Sequence, residues 1–529
     1  MDPALLVILA AFPFILLFIL LIVLHWPAIK ALPVVWALTI PITMFAWQIE
    51  MIYIPASLIR GTFMAMEIIL IILGAVWLLE ILKRSKHMDT IQSFLAGISP
   101  DARIQGIIIG WLFVSLMEGV AGFGTPAAVA APLLVALGFT PVLAVSVALI
   151  ANSVATTFGA AGTPVLLGLG NLGLERGLLE HISQISAGFH LIASIIIPLA
   201  IVYLVVVEYG KEKRKKINRP FVSMIPFSVF AWVVFGIPYL FSALFIGPEL
   251  PSIIAAILSL AIVSIAAHRG FLVPKERLAF SKKKAKKIPS SKALFAALPY
   301  IMIVLLLMLT RTITPLRNLL QSIEISVSSI LSSSMGFSYQ PLFTPAFYFF
   351  LAGLLSVVIY RMRKDHIRST LHDAFIRVRT AFIALIFALG LVQLFMASEN
   401  NAAGIQGMPM VLAESIGNLF GWLYPLVAPM VGVFGSFISG SNTVSNILFG
   451  AFQNESAIAL GISIPIILAL QAVGGAIGNM IAIHNVLAAS ATVGLHHKES
   501  IIIRKTIVVA IIYALAVGAL GLIAVSFLG

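Results

Sequence analysis

Leu116-Met117-Glu118-Gly119-Val120-Ala121-Gly122-Phe123-Gly124-Thr125-Pro126 interrupts an apolar stretch that covers 104–139. Gly122, Gly124 and Pro126 predict a turn, and Pro126 suits the start of a returning helix, where its missing N–H would have no partner anyway. A second apolar stretch, 411–453, is interrupted by Gly435-Ser436-Phe437-Ile438-Ser439-Gly440-Ser441-Asn442-Thr443-Val444-Ser445-Asn446. Each stretch is either one full crossing of a bilayer or a re-entrant hairpin that enters and leaves on one side. The fold turns on that choice.

Charge decides it. Apolar runs long enough to span, roughly 20 residues each, lie near 4–24, 33–55, 63–82, 141–170, 186–207, 221–246, 251–267, 292–312, 343–360, 380–398, 458–490 and 500–528. The loops at 83–103, 208–220, 268–292, 361–379 and 496–505 hold 28 of the 33 Lys and Arg residues. With both interrupted stretches as hairpins, all five loops and Lys30 fall on one side, and only Arg60, Arg176, Arg311 and Arg317 fall opposite. Reading either stretch as a crossing splits the basic loops between two sides. Lys and Arg accumulate in cytoplasmic loops, so the expectation is a multi-pass protein of the plasma or inner cell membrane, with cytoplasmic basic loops and both termini outside.

The same order of elements occurs twice: three spans, a hairpin, a broken span and a last span. The expected architecture is all-α and polytopic, with about twelve spanning helices plus two hairpins. The first unit is 1–207, with hairpin 104–139 and broken helix 141–170. The second is 292–529, with hairpin 411–453 and broken helix 458–490, and 208–291 links them by a pair of spans. One unit starts outside and the other inside, so the repeat is inverted. Inverted repeats with broken helices are a transporter signature, although two halves of a channel can be inverted too.

Composition agrees. Of 529 residues, 60% are hydrophobic and 10% charged, against about a quarter charged in soluble domains. The net charge of +13 follows from loop topology and gives no reason to expect nucleic acid. Segment 4–24 has no basic leader and is expected to be a retained helix. There is no cysteine, which excludes disulfides and thiolate metal sites. No Walker loop, G-x-S-x-G elbow or H-E-x-x-H is present, so no enzyme activity, catalytic residue, cofactor or metal is expected. Lys282 to Lys287 read as a solvated or headgroup-facing run.

Chemistry is expected where the chain breaks its own helices, because non-helical backbone at membrane depth survives only against protein or water. Gly122, Gly124 and Thr125 offer backbone N–H groups at a helix start, a natural anion site; alternatively the glycines serve packing. Glu118 is an ionisable group at depth, costly when charged and unpaired. A carboxyl that takes and loses a proton can couple proton movement to solute; alternatively it only bonds a neighbouring backbone. Ser441, Asn442, Thr443, Ser445 and Asn446 offer neutral donors for a carboxylate or hydroxyl. The broken spans carry Asn152 to Pro164, with Asn152 and Thr156, and Gly474 to Asn485, with Asn479 and His484. His484 is read as buried at depth: a proton carrier, a substrate donor or a neutral ring bonded to a carbonyl. His190 reads as a packed neutral ring, and His496-His497 as a solvated turn.

At Glu118 to Pro126, Phe158-Gly159-Ala160-Ala161-Gly162-Thr163-Pro164, Phe245-Ile246-Gly247-Pro248-Glu249-Leu250-Pro251, Gly440 to Asn446 and Lys498-Glu499-Ser500 the chain resembles the lactate permease family, within the ion transporter superfamily. The resemblance implies proton-coupled uptake of L-lactate, and often D-lactate or glycolate, by an elevator-like movement. Better-known members often carry Asp at Asn442, and Lys followed by a Ser-Pro-Gln stretch at Asn479 and Ala482-Ile483-His484. An acid and a base are thus missing together, as charge balance in a low dielectric favours, and His484 is expected to replace part of the polarity. The resulting expectation is proton symport of lactate or a related 2-hydroxymonocarboxylate. Its carboxylate would meet the hairpin N–H groups and Ser441 to Thr443, its hydroxyl Asn152, Thr156 or His484, and Glu118 would carry the proton. A sodium-coupled carboxylate transporter, a passive anion channel and a subunit driven by an ATPase are the alternatives. Expected partners are the carboxylate, protons (or sodium) and the lipid bilayer; assembly into a homo-oligomer is left open.

Overall fold

Apolar chain in lipid must satisfy its backbone internally, and this chain does so almost entirely with helices. The computed structural model describes residues 2–24, 26–122, 125–213, 218–278, 288–495 and 498–528. Thirteen of its helices are long and apolar enough to cross a bilayer. Two of them, Ala102–Val120 and Gly421–Ser439, are first arms of helix–turn–helix units. Setting these two aside and adding the shorter apolar helix Pro345–Ile359 leaves twelve spans.

The first helix–turn–helix unit comprises the arm Ala102–Val120, which includes a π-helical turn at Ile108–Phe113, and the return helix Thr125–Ala136. The return arm packs back along the first. The second unit pairs Tyr424–Ser439 with Asn442–Leu460, joined at Gly440. Both tips use a glycine in the left-handed region, Gly122 at φ 58° and Gly440 at φ 75°, where a β-carbon is unfavourable.

Helix contacts form two groups whose apolar clusters interleave: Ile447, Leu448 and Phe449 of the second lie in the cluster of the first, and Ala346, Tyr348 and Phe349 of the first in that of the second. In one, Tyr53–Arg84 lies along Lys364–Ala397, with Ala28–Phe45 and Pro345–Ile359 beside them. In the other, Ile464–Gly478 lies among Tyr424–Ser439, Asn442–Leu460, Arg176–Ala193 and Glu499–Leu528. The broken segments 141–172 and 464–492 are the most enclosed of the spans apart from the first arm 102–120. Small residues allow this: Gly432, Gly474 and Gly478 sit where a β-carbon would strike the backbone of a neighbouring helix.

The basic loops meet at one end. Arg84 pairs with Asp373 at 3.1 Å, tying 83–103 to 361–379. Arg103 is buried and spends its guanidinium on Asp101 at 2.6 Å, the Pro220 carbonyl at 2.8 Å and the Glu276 carbonyl at 2.7 Å. Loops 208–220 and 268–292 therefore join the same cluster. Lys505 reaches Glu208 at 3.4 Å and adds 496–505. At the opposite end Glu249 accepts from both Arg176, at 3.0 Å, and Arg311, at 2.6 Å.

The all-α, polytopic expectation holds. Between spans, 313–344, unassigned from sequence, folds as the helix Thr314–Gln321 and a short two-stranded antiparallel hairpin, Ile325–Val327 with Phe337–Tyr339. Short strands with polar alternation carry no membrane-length signal, and these sit outside the spans.

Candidate functional site

Glu118 ends the first arm of the first helix–turn–helix unit and is buried. It faces a break in the span that begins at Pro141. There the helix Pro141–Ala155 gives way to a 3-10 turn, Thr156–Phe158, and then to left-handed backbone at Ala160, Ala161 and Gly162, with φ of 42°, 53° and 79°. Side chains resist that region by about 1–2 kcal/mol per residue, so the packing around the break holds it. A π-helical turn, Pro164–Leu169, resumes the span.

The carboxyl of Glu118 lies within hydrogen-bonding reach of the Asn152 and Thr156 side chains. Its approach depends on Gly159: a β-carbon there would sit 2.5 Å from Oε1. From the other side comes the second unit. Ser441 caps the helix Asn442–Leu460. Asn442 Nδ2 donates to the Ala472 carbonyl at 3.0 Å, and Asn479 Nδ2 donates to Thr156 Oγ1 at 3.4 Å. Asn485 fixes Asn479 by donating to its Oδ1 at 2.6 Å. Gly475 makes room for Asn442, whose Oδ1 would collide with any β-carbon at that position.

These four interruptions line a small cavity of about 10 Å³, room for about one water, bordered by Glu118, Gly122, Thr156, Gly159, Pro164, Gly440, Ser441, Asn442, Thr443 and Asn479. Glu118 Oε2, Asn152 Oδ1 and Asn442 Oδ1 are buried acceptors with no donor among the described residues. An unmet buried acceptor costs about 1–3 kcal/mol, so three around one site favour a guest that brings hydrogens or positive charge. The start of the helix at Asn442 adds backbone N–H groups suited to an anion.

The residues singled out from sequence divide into groups. Glu118, Gly122, Thr156, Ser441, Asn442, Thr443 and Asn479 line the cavity, and Asn152 reaches it through Glu118. Ser445 and Asn446 do not. Ser445 Oγ donates to the Gly432 carbonyl at 2.9 Å, and Asn446 Nδ2 donates to the Pro164 carbonyl at 2.9 Å, so both hold the second unit in place. His484 is exposed on the first turn of the helix Ile483–Thr492 and is not among the cavity-lining residues, although its Cβ abuts Gly440. Gly124, His496, His497 and Lys282 to Lys287 lie outside the described residues, as does the Thr125 side chain.

Sequence reasoning missed three supports. Gln471 donates to Ser445 Oγ at 3.2 Å and accepts from Gln453, which also accepts from Tyr424, so one amide cluster joins both arms of the second unit to the second broken helix. Gly159 and Gly475, within the two broken spans, are seats for Glu118 and Asn442. His190 is buried as expected, but its ring contacts Thr157 Oγ1 at 2.7 Å and the Tyr513 hydroxyl at 2.5 Å, bracing the first break. No cluster of three or more His, Cys, Asp or Glu suited to a metal occurs among the described residues.

A family model described as L-lactate permease matches residues 6–528. A Haemophilus influenzae protein provisionally named L-lactate permease is 31% identical, over 98% of this chain and 98% of its own length. The L-lactate permease of Escherichia coli K12 is 27% identical over 97% of this chain and 94% of its own. The glycolate permease GlcA of the same strain is also 27% identical, over 97% of this chain and 94% of its own. Among solved structures, the Alcanivorax borkumensis YdaH transporter aligns with a TM-score of 0.43 at 13% identity, over 87% of this chain and 85% of that one, too loose a likeness to bear on the site.

Proposed function

The chain belongs to the L-lactate permease family, and from that premise we propose that it is a secondary transporter moving lactate, or a related 2-hydroxymonocarboxylate such as glycolate, together with protons. The observation that carries this reading is the enclosure of one carboxyl, Glu118, by neutral donors from four separate helix breaks. A monocarboxylate fits the polarity: its carboxylate meets the N–H groups and hydroxyls at Ser441 to Thr443, and its hydroxyl supplies a hydrogen to Asn152 or Asn442. Glu118 takes the coupling proton. The relatives named for L-lactate and glycolate support the substrate class.

The same proposal includes the membrane arrangement. The laced basic end is cytoplasmic by the positive-inside rule, and the units 1–207 and 292–529 are inverted repeats whose hairpins and breaks meet at the cavity. The two groups of helices then slide against each other as an elevator. The purified protein in liposomes, with an imposed pH gradient and neither sodium nor ATP, is expected to accumulate lactate above its equilibrium level. Flux without accumulation would replace this reading with a channel.

One observation favours a second reading. Three donor-less oxygens, on Glu118, Asn152 and Asn442, also suit a sodium ion. Accumulation that requires sodium at fixed pH and membrane potential would establish it in place of proton coupling.

A further inference from the structure

Opposite the basic end, an open cleft of about 760 Å³ lies between the two groups of helices. Its floor includes Ala161 and Thr163, while their neighbours Gly159 and Pro164 line the inner cavity. The left-handed turn at 160–162 is thus the partition between cleft and cavity. Solute arriving from this end meets the cleft first.

Three arginines line that cleft: Arg60, Arg176 and Arg311. Two are neutralised. Arg176 binds Glu180 at 2.9 Å and Glu249 at 3.0 Å, and Arg311 binds Glu249 at 2.6 Å and stacks on Phe343 at 3.7 Å. Arg60 is different. It takes part in no ion pair among the described residues. Its Nη1 donates to Gln393 Oε1 at 2.6 Å, and its Nε is buried with no hydrogen-bond partner. The carboxylate next along its own helix face, Glu67, lines the same cleft but lies two turns away, about 10 Å along the axis. A half-buried guanidinium held by one neutral amide keeps its charge for something else. Bidentate carboxylate is the partner its fork fits.

We propose that Arg60 is a carboxylate-capture site in the outer cleft, separate from the inner cavity, where the monocarboxylate is held before it passes the turn at 160–162. Gln393 positions the guanidinium, and the neutralised pair at Arg176 and Arg311 leaves Arg60 as the attractive point of the wall. This rests on the transport of a monocarboxylate proposed above.

The chain has no native cysteine, so Arg60→Cys is a unique thiol and its charge can be reset in the folded protein. Initial rates of lactate uptake are measured in intact cells and in inside-out vesicles. Arg60→Cys is expected to raise the half-saturation concentration from the cleft face about tenfold at an unchanged maximal rate. Because no mutation can shift the equilibrium of solute across the membrane, the matching loss from the opposite face is expected as a lower maximal rate at unchanged half-saturation. A membrane-impermeant cationic thiol reagent is expected to bring the cleft-face half-saturation back toward wild type, and an anionic reagent of similar size to raise it further. Arg60→Lys is expected to fall between wild type and Arg60→Cys. An unchanged cleft-face half-saturation in Arg60→Cys, an equal rise of half-saturation from both faces, or the same response to both reagents would overturn the capture site. Failure of the wild-type protein to carry lactate at all would instead overturn the transport reading, which the same wild-type measurement reports first.

Discussion

The two helix–turn–helix units meet at one cavity but bring opposite chemistry to it. The first contributes a single carboxyl, Glu118, seated against Gly159 and within reach of Asn152 and Thr156. The second contributes neutral groups at Ser441 to Thr443, backed by bonds outside the cavity: Ser445 to Gly432, Asn446 to Pro164, and Gln471 of the second broken helix to Ser445. The contrast teaches a division of labour. The ionisable group has one oxygen near Asn152 and Thr156 and the other without a partner. The groups that give the site its shape are tied into a network in which each hydrogen bond positions the next. Under the proposed coupling, a proton would come and go on the first unit without rearranging the second.

The largest test of that contrast is Glu118→Gln, which keeps the shape and removes the titration. It is expected to abolish accumulation driven by a pH gradient while leaving exchange of labelled lactate at equal concentrations. Accumulation that survives would end the coupling role and the contrast with it. Gly475→Ala comes next. Its methyl group enters the space of Asn442 Oδ1, and overpacking of about 1–3 kcal/mol is expected to raise the half-saturation concentration about tenfold or more. Asn442→Ala removes the hydrogen bond to Ala472. At roughly 1 kcal/mol, it should raise half-saturation about fivefold and leave coupling intact. The smallest effect is expected for Ser445→Ala, whose bond to Gly432 serves the network alone. About 1 kcal/mol of stability should be lost in a thermal melt of the detergent-solubilised protein, with half-saturation unchanged. A Ser445→Ala protein with weakened half-saturation but an unaltered melt would place Ser445 in the site rather than behind it.

Much of the fold was legible because the bilayer imposes a length on every span, and a crossing of that length leaves a run of apolar residues in the chain. The hairpins were legible through charge: the loops around Arg84, Arg103, Glu208 and Lys505 that share one side on paper are joined by hydrogen bonds and ion pairs in space. The cavity was legible because helix breaks announce themselves in glycine, proline and small polar residues. What stayed hidden depends on partners far away in sequence. Gly159 seats a side chain 41 positions earlier, and nothing local to either residue reveals it. His484 stands beside a helix break, as the cavity residues do, yet it is exposed and abuts the tip glycine Gly440 rather than lining the cavity. Arg60 looked like one of a few stray charges on the less basic side; only the pairing of Arg176 and Arg311 with Glu249 singles it out.

The turn at 160–162 sets a limit on insulation. A protein that builds a concentration difference must keep two aqueous spaces electrically and chemically apart, and most partitions inside membranes are whole helices thick. Here the cleft and the cavity are divided by one left-handed turn of backbone. The turn is wedged where a β-carbon on Gly162 would strike the Pro248 carbonyl, and where Ala160 fills the space beside Gly122. The tightness of the barrier therefore resides less in its own thickness than in the loop at Pro248 that presses on it. Under the proposed transport, residues that touch neither solute nor proton would thereby govern how well a gradient is kept.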